Sequence, residues 1–417
     1  MTTPAGRPAS PFGRFVADAA DAGRLVVQPR MGFSDLRRMR AGLERTRFAA
    51  ATTVGTITVD SYTRVGAHAA ARRALADGVP LNGYPIVAYP AAVTRALLDG
   101  VIDDSFPVQV RHGSSQPQPI IRALAAAGLH ATEGGPVSYC LPYGRAPLRE
   151  SVRNWAHACE LLAELAPGTA HVETFGGCLL GQLCPPGLLV AISLLEALFF
   201  VRHGVTSVSL SYAQQTDPGQ DLDAVRALRR LSEEFLPAHV DRHVVLYTYM
   251  GVFPASTRGA RRLLESSAEL AVRAGAQRLI VKTVAEAHRI PTVEENVRAL
   301  ETAAATAAVT GPDTGLPATT GVYEEARTLI EAVLDLHDEP GEALYEAFRR
   351  GYLDVPYCLH PDNAGRSRSW IDDAGRLRWA AVGRMPIPMS GTSADRPAMT
   401  STRLLSALHT VARRYDE

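Results

Sequence analysis

Lysine is almost absent from this 417-residue chain, since only one of its 43 basic residues, Lys282, is not an arginine. The formal net charge is zero and no block of like charge stands out, so we expect no binding to nucleic acid and no polybasic membrane patch. The longest apolar run, residues 188–201, is interrupted by Ser193 and Glu196, and the N-terminus lacks the apolar stretch of a secretory signal. We therefore expect a soluble, cytoplasmic protein whose partners are small molecules or other proteins.

Familiar catalytic and metal-binding motifs are also missing. The five cysteines form neither a CxxC pair nor a Cys/His zinc spacing, which predicts reduced, mostly apolar thiols and no metal site. The chain contains no G-x-S-x-G elbow, no HExxH pair and no phosphate-binding P-loop. Because its own nucleophile or acid–base machinery is not evident, a bound cofactor is expected to supply the bond-breaking chemistry.

What the chain does contain is a regular alternation of short β-branched runs and Ala/Leu/Arg-rich helical stretches. Continuous hydrophobicity in the runs, with helices between them, is typical of a parallel sheet that helices cover. Residues 84–89 are flanked by prolines, so we assign them to a loop rather than a strand. The prediction is an α/β barrel of eight strands, in the segments 25–30, 52–59, 107–112, 130–135, 171–177, 205–212, 243–250 and 278–283.

The alternation also predicts the domain organisation. We expect an N-terminal segment at 1–24, the barrel at 25–350 and a C-terminal extension at 351–417, where the βα rhythm stops. Residues 302–320 resemble a helix end that runs into a surface loop. Within the extension, a short hairpin is expected around residues 373–375 and a last helix from about Ser401.

Three arginines follow predicted strands. In parallel barrels the side chains just beyond the carboxyl ends of the strands meet at one mouth, where active sites lie. Arg30, Arg64 and Arg111 are therefore expected to point into the same mouth. For each arginine alone, an exposed structural role is as compatible with the sequence as a functional role. Three unpaired guanidinium groups together, however, would repel one another. They predict a ligand with carboxylates, which guanidinium groups bind in a bidentate fork.

A carboxylate and two tyrosines complete the predicted site. Glu133 ends another strand and is suited to a substrate ammonium group, so three cations and one anion indicate an amino acid with a second carboxylate. Tyr139 and Tyr143 could donate hydrogen bonds to a carboxylate, or could simply belong to the core. Lys282 could be an exposed lysine that is retained by chance. Its retention in an arginine-rich chain nevertheless favours a functional role, because a wide, planar guanidinium cannot replace a compact ammonium in a tight site.

Six ordered motifs carry a resemblance to a known family: QPRMG at 28–32, TVDSYTR at 58–64, LNGYP at 81–85, VRHGSS at 110–115, EGGPVSYCLPY at 133–143 and VKTVAEAHRIPT at 281–292. Together they resemble the large (epsilon) subunit of glutamate mutase, also called methylaspartate mutase. The resemblance implies a TIM (β/α)8 barrel whose mouth packs against cobalamin carried by a small sigma subunit. Adenosylcobalamin would supply a radical that converts L-glutamate into L-threo-3-methylaspartate.

The resemblance also implies roles for individual residues. Arg30, Arg64 and Arg111 match the family's grip on the substrate carboxylates, and Glu133 matches the acceptor for the substrate ammonium. Tyr139 and Tyr143 match tyrosines of the same pocket. The resemblance implies Glu133, Tyr139 and Lys282 as the catalytic groups. The residues expected to contact the adenosyl group are Gly32, Asn82, Lys282 and Glu286, the last two at its ribose.

The cobalamin tail is expected to bind another chain. The family's tail-binding motif is DxHxxG, and this chain offers two near misses, at Asp241–His243 and Asp335–His337, neither followed by glycine at the required spacing. A separate small subunit is therefore the predicted partner, in a heterotetramer that also contains a homodimer of the large subunit.

Two alternatives stay open. A paralogous mutase could act on another acidic amino acid, because the VETFGG and YTYMG segments and Ala285 depart from the family pattern. A non-catalytic barrel that binds an amino acid is the second, although it would have no use for Lys282 and Glu286.

Overall fold

The computed structural model describes residues 10–142, 144–179, 183–311, 313, 320–388 and 399–417. Eight short strands form one sheet, and most of their residues are buried, as expected of strands covered on both faces. Their bounds are β1 (Val26–Gln28), β2 (Gly55–Thr58), β3 (Val108–Arg111), β4 (Ala131–Gly134), β5 (His171–Thr174), β6 (Ser207–Ala213), β7 (Asp241–Tyr247) and β8 (Arg278–Ile280).

The sheet closes into a barrel. Every strand pair is parallel, in the order β1-β8-β7-β6-β5-β4-β3-β2. A parallel bridge between Val27 and Thr53 joins β1 to the segment before β2. Tyr84 makes an isolated bridge to Val59, and turns follow it. The predicted eight-stranded α/β barrel, with residues 84–89 outside the sheet, is confirmed.

Helices follow the strands and cover the barrel. They are α1 (Pro11–Asp21), α2 (Leu36–Arg47), α3 (Ser61–Arg64), α4 (His68–Ala76), α5 (Ala91–Leu98), α6 (Gln118–Ala126), α7 (Leu148–Leu165), α8 (Pro186–Arg202), α9 (Pro218–Phe235), α10 (Thr257–Ala274), α11 (Val293–Val309), α12 (Val322–Leu334), α13 (Pro340–Arg350), α14 (Ser401–Leu408) and α15 (Thr410–Asp416). Local signals set several ends: Ser256 caps α10, Gly275 ends it in the left-handed conformation, and Thr292 forms a capping box with Glu295 on α11.

Helix α8 contains the longest apolar run of the sequence. It is apolar all round and nearly every residue is buried, because the barrel lies on one side and α12 and α13 lie on the other. Its Glu196 carboxylate accepts hydrogen bonds from the backbone N–H groups of Val137 and Ser138. Within the described ranges, no helix has both the length and the apolar character needed to cross a membrane.

Helix α1 lies under the barrel, at the amino ends of the strands. Phe12 stacks on His171 with ring centroids 4.7 Å apart, and the guanidinium of Arg278 lies 4.9 Å from the Phe12 ring. The N-terminal segment, which the sequence predicts as a separate piece, thus packs its helix against the barrel. The proposed domain boundaries themselves stay a prediction.

Beyond α13 the predicted hairpin is present. Strands β9 (Arg368–Ile371) and β10 (Leu377–Ala381) pair antiparallel around a turn at residues 372–376. The last helical segment begins at Ser401, as expected, and α15 packs against α10. Most of the loop expected within 302–320 lies outside the described residues, but α11 ends at Val309, as the sequence indicates.

Candidate functional site

A cavity of about 130 Å³ opens at the carboxyl ends of the strands. Its position matches the mouth at which α/β barrels bind their substrates. The lining residues come from the ends of β1 to β5 and β7: Arg30, Thr58, Arg64, Arg111, His112, Gly113, Glu133, Tyr139, Phe175 and Met250. The structure therefore brings all three arginines, Glu133 and Tyr139 to one cavity.

The three arginines reach the cavity from different kinds of backbone. Arg30 lies two residues beyond β1 and Arg111 is the last residue of β3. Arg64 follows its strand at a greater distance, since β2 stops at Thr58 and Arg64 is the last residue of helix α3. Asp60 caps that helix by accepting hydrogen bonds from the N–H groups of Tyr62 and Thr63. This single helical turn places the Arg64 guanidinium at the cavity.

The arginines also differ in what holds them. Arg111 is buried and its Nε donates to Glu133 Oε2 at 2.6 Å. Arg64 Nε donates to the carbonyl oxygen of His112 at 3.2 Å, and Arg30 lies 3.6 Å from Glu286. The sequence predicts three uncommitted cations, whereas Arg111 is already half of a buried ion pair. Arg30 and Arg64 keep more of their N–H groups available for a ligand.

Glu133 is the centre of the site. Its side chain is 3% exposed and accepts hydrogen bonds from Arg111, from the hydroxyl of Tyr139 and, at 2.8 Å, from the hydroxyl of Tyr247. The next residue, Gly134, has φ +143°, and a Cβ there would lie 2.4 Å from the Trp155 ring. Glycine is thus required where the chain turns to present the carboxylate.

A second layer of polar side chains lies below the cavity, and it was not predicted from the sequence. The Tyr247 hydroxyl lies between Glu133 and Glu173, within hydrogen-bond reach of both, and Glu173 pairs with Arg278, whose side chain is fully buried. Arg278 donates in turn to Gln28 and to Ser209. The signal was available: ionisable residues inside otherwise apolar strands face the barrel interior and must be paired there.

His112, in the motif at 110–115, is a further lining residue that was not predicted from the sequence. Burial and the nearby Arg64 lower its pKa to about 3, so the ring is neutral. Its Nδ1 accepts from the N–H of Ser114 at 3.1 Å, which leaves the proton on Nε2. The imidazole ring stacks on the Trp155 ring with centroids 5.6 Å apart, and this contact fixes the orientation of the imidazole.

Lys282 and Glu286 lie beside the cavity, next to Arg30. The Lys282 side chain is 7% exposed, and its Nζ lies 3.8 Å from Glu286 and 5.0 Å from the centre of the Phe253 ring. Among the described residues, Glu286 is the only carboxylate within 4 Å of this ammonium. Burial, with a smaller effect from Arg30, lowers the pKa of Lys282 to about 8. The ammonium is therefore charged at neutral pH and weakly satisfied by the chain itself.

The remaining predicted contacts have structural explanations or lie outside the described residues. A Cβ on Gly32 would lie 2.1 Å from the Thr58 carbonyl oxygen, so packing alone requires glycine there. Asn82 is exposed and accepts a hydrogen bond from the N–H of Ser61 at 2.9 Å, at the start of α3. Tyr143 lies outside the described residues. The cofactor role of Gly32 and Asn82 and the substrate role of Tyr143 stay predictions.

A comparison with known families identifies the chain's relatives. The family model of the methylaspartate mutase E chain (MutE) matches residues 8–402. The chain belongs to this family. The relatives include three proteins named glutamate mutase epsilon subunit. That of Halobacterium salinarum is 30% identical over 95% of this chain and 86% of its own length. That of Desulfitobacterium hafniense is 30% identical over 90% of this chain and 81% of its own length. That of Yersinia enterocolitica is 29% identical over 79% of this chain and 72% of its own length.

Membership in the MutE family confirms the resemblance inferred from six motifs.

As far as the described residues extend, no group of three or more His, Cys, Asp or Glu side chains is placed to hold a metal ion. All five cysteines are free and buried. Burial raises the pKa of Cys140 to about 12 and that of Cys159 further, so these two thiols are not suited to act as nucleophiles.

Proposed function

We propose that the chain is the large subunit of an adenosylcobalamin-dependent mutase that interconverts L-glutamate and L-threo-3-methylaspartate. One observation carries the proposal: a small cavity in which three arginines surround a buried carboxylate, beside a buried ammonium paired with another carboxylate. Membership in the MutE family supports the same reaction.

Substrate recognition follows from the charges that line the cavity. Arg30 and Arg64 offer N–H groups to one substrate carboxylate, and the free N–H groups of Arg111 reach the other. Glu133 accepts the substrate ammonium. A carboxylate bound to guanidinium in this low-dielectric site gains more than it would in water. Two carboxylates and one ammonium describe an acidic amino acid.

The residues beside the cavity fit a nucleoside ribose. Lys282 supplies a compact donor and Glu286 an acceptor 3.8 Å apart, a pair that complements two neighbouring hydroxyl groups. Adenosylcobalamin, when bound, would supply the radical that starts the rearrangement. Lys282 would hold the nucleoside sugar near the cavity, and arginine in its place would displace that sugar, because the guanidinium is wider and planar.

The chain's own residues orient the substrate and protect it from water. Tyr139 donates to Glu133 and packs against Phe175 and His112, with ring centroids 5.1 and 5.3 Å apart. This contact fixes the carboxylate that holds the substrate ammonium. An oriented, dry site prevents the side reactions to which reactive intermediates are prone.

The partner in this proposal is a small cobalamin-binding sigma subunit. Neither Asp241–His243 nor Asp335–His337 is available for this purpose, since Asp241 and His243 lie in β7 and the second pair lacks the required glycine spacing. A heterotetramer with a homodimer of the large subunit, in the cytoplasm, completes the proposed assembly.

Reconstitution tests the proposal directly. The purified chain, a small subunit of the family and adenosylcobalamin are incubated with L-glutamate, and NMR should detect 3-methylaspartate. The chain alone should not bind adenosylcobalamin tightly, because the cobalamin tail needs the second protein. Stoichiometric binding without the small subunit would contradict the partner proposal.

A paralogous mutase with another acidic substrate is the second candidate. Phe175 and Met250, from the two segments that depart from the family pattern, both line the cavity. Reconstituted enzyme that leaves glutamate unchanged but rearranges another acidic amino acid would favour this candidate. A barrel without catalysis would bind an amino acid and give no product with any of them.

A further inference from the structure

A carboxylate in the helix layer is bonded to the chain that carries the candidate substrate site. Glu196 lies on α8, and its side chain is fully buried where that helix packs against the barrel. Its Oε1 accepts hydrogen bonds from the N–H groups of Val137 and Ser138, at 3.1 and 2.9 Å. Its Oε2 accepts from the Ser138 hydroxyl at 2.9 Å. One side chain outside the cavity therefore holds a loop of the barrel mouth through three hydrogen bonds.

That loop joins two residues of the site, Glu133 and Tyr139. Both line the cavity, and the Tyr139 hydroxyl donates a hydrogen bond to the Glu133 carboxylate. The Tyr139 N–H also donates to the carbonyl oxygen of Gly135 at 3.2 Å, so the loop is a tight turn. The position of the Tyr139 hydroxyl relative to Glu133 thus depends on the loop that Glu196 holds.

The same carboxylate reaches the turn after β5. The Gly176 N–H makes a further, weaker hydrogen bond to Glu196. The preceding residue, Phe175, lines the cavity and packs against Tyr139 with ring centroids 5.1 Å apart. A Cβ on Gly176 would lie 2.7 Å from the backbone nitrogen of Ser193 on α8, so this turn lies directly on the helix. Glu196 therefore links two strand-end segments that both supply walls of the cavity.

Packing and charge show how closely Glu196 and the loop are fitted to each other. A Cβ on Gly135 would lie 2.0 Å from Glu196 Oε1, so glycine is what allows the backbone to approach the carboxylate. A carboxylate buried in an apolar helix is costly unless donors surround it. Burial raises the pKa of Glu196 to about 7, and the N–H and hydroxyl donors of the loop oppose that rise. The loop thus stabilises the charge that holds it.

We propose that Glu196 is a positioning residue of the substrate site, which holds Tyr139 and Phe175 in place beside Glu133. The inference rests on the proposed role of Glu133 as the acceptor of the substrate ammonium. The three arginines that would bind the carboxylates lie on other elements, after β1, in α3 and in β3. Loss of Glu196 should therefore impair recognition of the ammonium and leave recognition of the carboxylates intact.

The test compares L-glutamate with glutarate, which has both carboxylates but no ammonium, in calorimetric binding to the purified full chain. In Glu196→Met the loop loses its acceptors, so the affinity for L-glutamate should fall about tenfold, as for a lost hydrogen bond to a charged group. The affinity for glutarate should not change. In Glu196→Gln the amide oxygen still accepts from Val137 and Ser138, so most of the preference for L-glutamate should be restored.

Asp221→Leu is the matched control. The Asp221 carboxylate is likewise buried, on α9, and accepts from the N–H of Gln215 at 2.9 and 3.0 Å. Gln215 lies after β6, a strand whose described residues do not line the cavity. The control should also destabilise the fold, but the ratio of the two affinities should stay at the wild-type value. A wild-type ratio in folded Glu196→Met would overturn the positioning role.

Ser138→Ala keeps the test decisive if Glu196→Met does not fold. It removes the hydroxyl bond to Glu196 Oε2 and leaves both backbone bonds, so the preference for L-glutamate should fall about threefold, as for one modest hydrogen bond. An unchanged preference in this variant would refute the inference. Wild-type chain that shows no preference for L-glutamate over glutarate would instead contradict the proposed function.

Discussion

The charged side chains below the cavity and those at its rim are held in different ways. Below the cavity, Glu173 and Arg278 are fully buried and share hydrogen bonds with several neighbours. At the rim, Arg30, Glu286 and Lys282 are partly or mostly buried, but their contacts are 3.6 and 3.8 Å long. The deep charges satisfy one another, whereas the rim charges leave bonding capacity for a ligand.

Breaking the deep pair should have the largest effect. Arg278→Met leaves the Glu173 carboxylate buried without its cation, and the free energy of unfolding should fall by about 3–5 kcal/mol. Arg30→Met at the rim is the control and should cost less than about 1 kcal/mol. Urea unfolding followed by circular dichroism measures both. Equal losses would remove the distinction between the two regions.

Changing the rim should affect activity rather than stability. Lys282→Arg keeps the charge but widens the group beside the cavity, and a misplaced nucleoside should lower kcat by roughly 100-fold. Amino-acid binding to the chain, measured by calorimetry, should stay at the wild-type value. Arg261→Lys on the exposed face of α10 is the control exchange and should change neither quantity. Wild-type turnover in Lys282→Arg would mean that the lysine has no catalytic part.

The rim lysine should also make stability depend on pH. Burial lowers the pKa of Lys282 from 10.5 to about 8, so between these values the folded chain binds fewer protons than the unfolded chain. The contribution of Lys282 to stability therefore rises with pH across that window, by about 1.4 kcal/mol per unit.

The comparison with Lys282→Met isolates this contribution. The variant should be more stable than the wild type below pH 8, and the difference should shrink toward pH 10. Urea unfolding at a series of pH values measures it. A constant difference would mean that the ammonium is not desolvated as the structure indicates.

The smallest effect is expected outside the rim, where α15 supports the loop after β7. The Asp416 carboxylate accepts hydrogen bonds from the N–H groups of Ala255 and Ser256, each at 2.9 Å. Ala255 is two residues beyond Phe253, whose ring faces Lys282. Asp416→Ala should destabilise the chain by about 1 kcal/mol, as for a lost helix cap. Glu417→Ala is the neighbouring control. Thermal unfolding that does not separate the two variants would show that this contact is not needed.

The residues that line the cavity were easier to predict from the sequence than the charged layer below it. Arg30, Arg111 and Glu133 follow or end strands, and strand ends in a parallel barrel have a known destination. Arg64 also follows a predicted strand, but the one-turn helix that carries it after β2 is too short to show a helical period in the sequence. Glu173, Tyr247 and Arg278 lie on three strands far apart in sequence, and their pairing depends on which strands face each other across the barrel.

The sequence by itself determined the barrel, its strands and most of the candidate site, because hydrophobic periodicity and the positions of polar residues after strands are local properties. It also singled out Lys282 through composition alone. Only the tertiary structure decided which charges are already paired, such as Arg111 with Glu133, and which remain open to a ligand. Pairing depends on distances across the closed barrel, and those distances are set by packing among residues that the sequence keeps far apart.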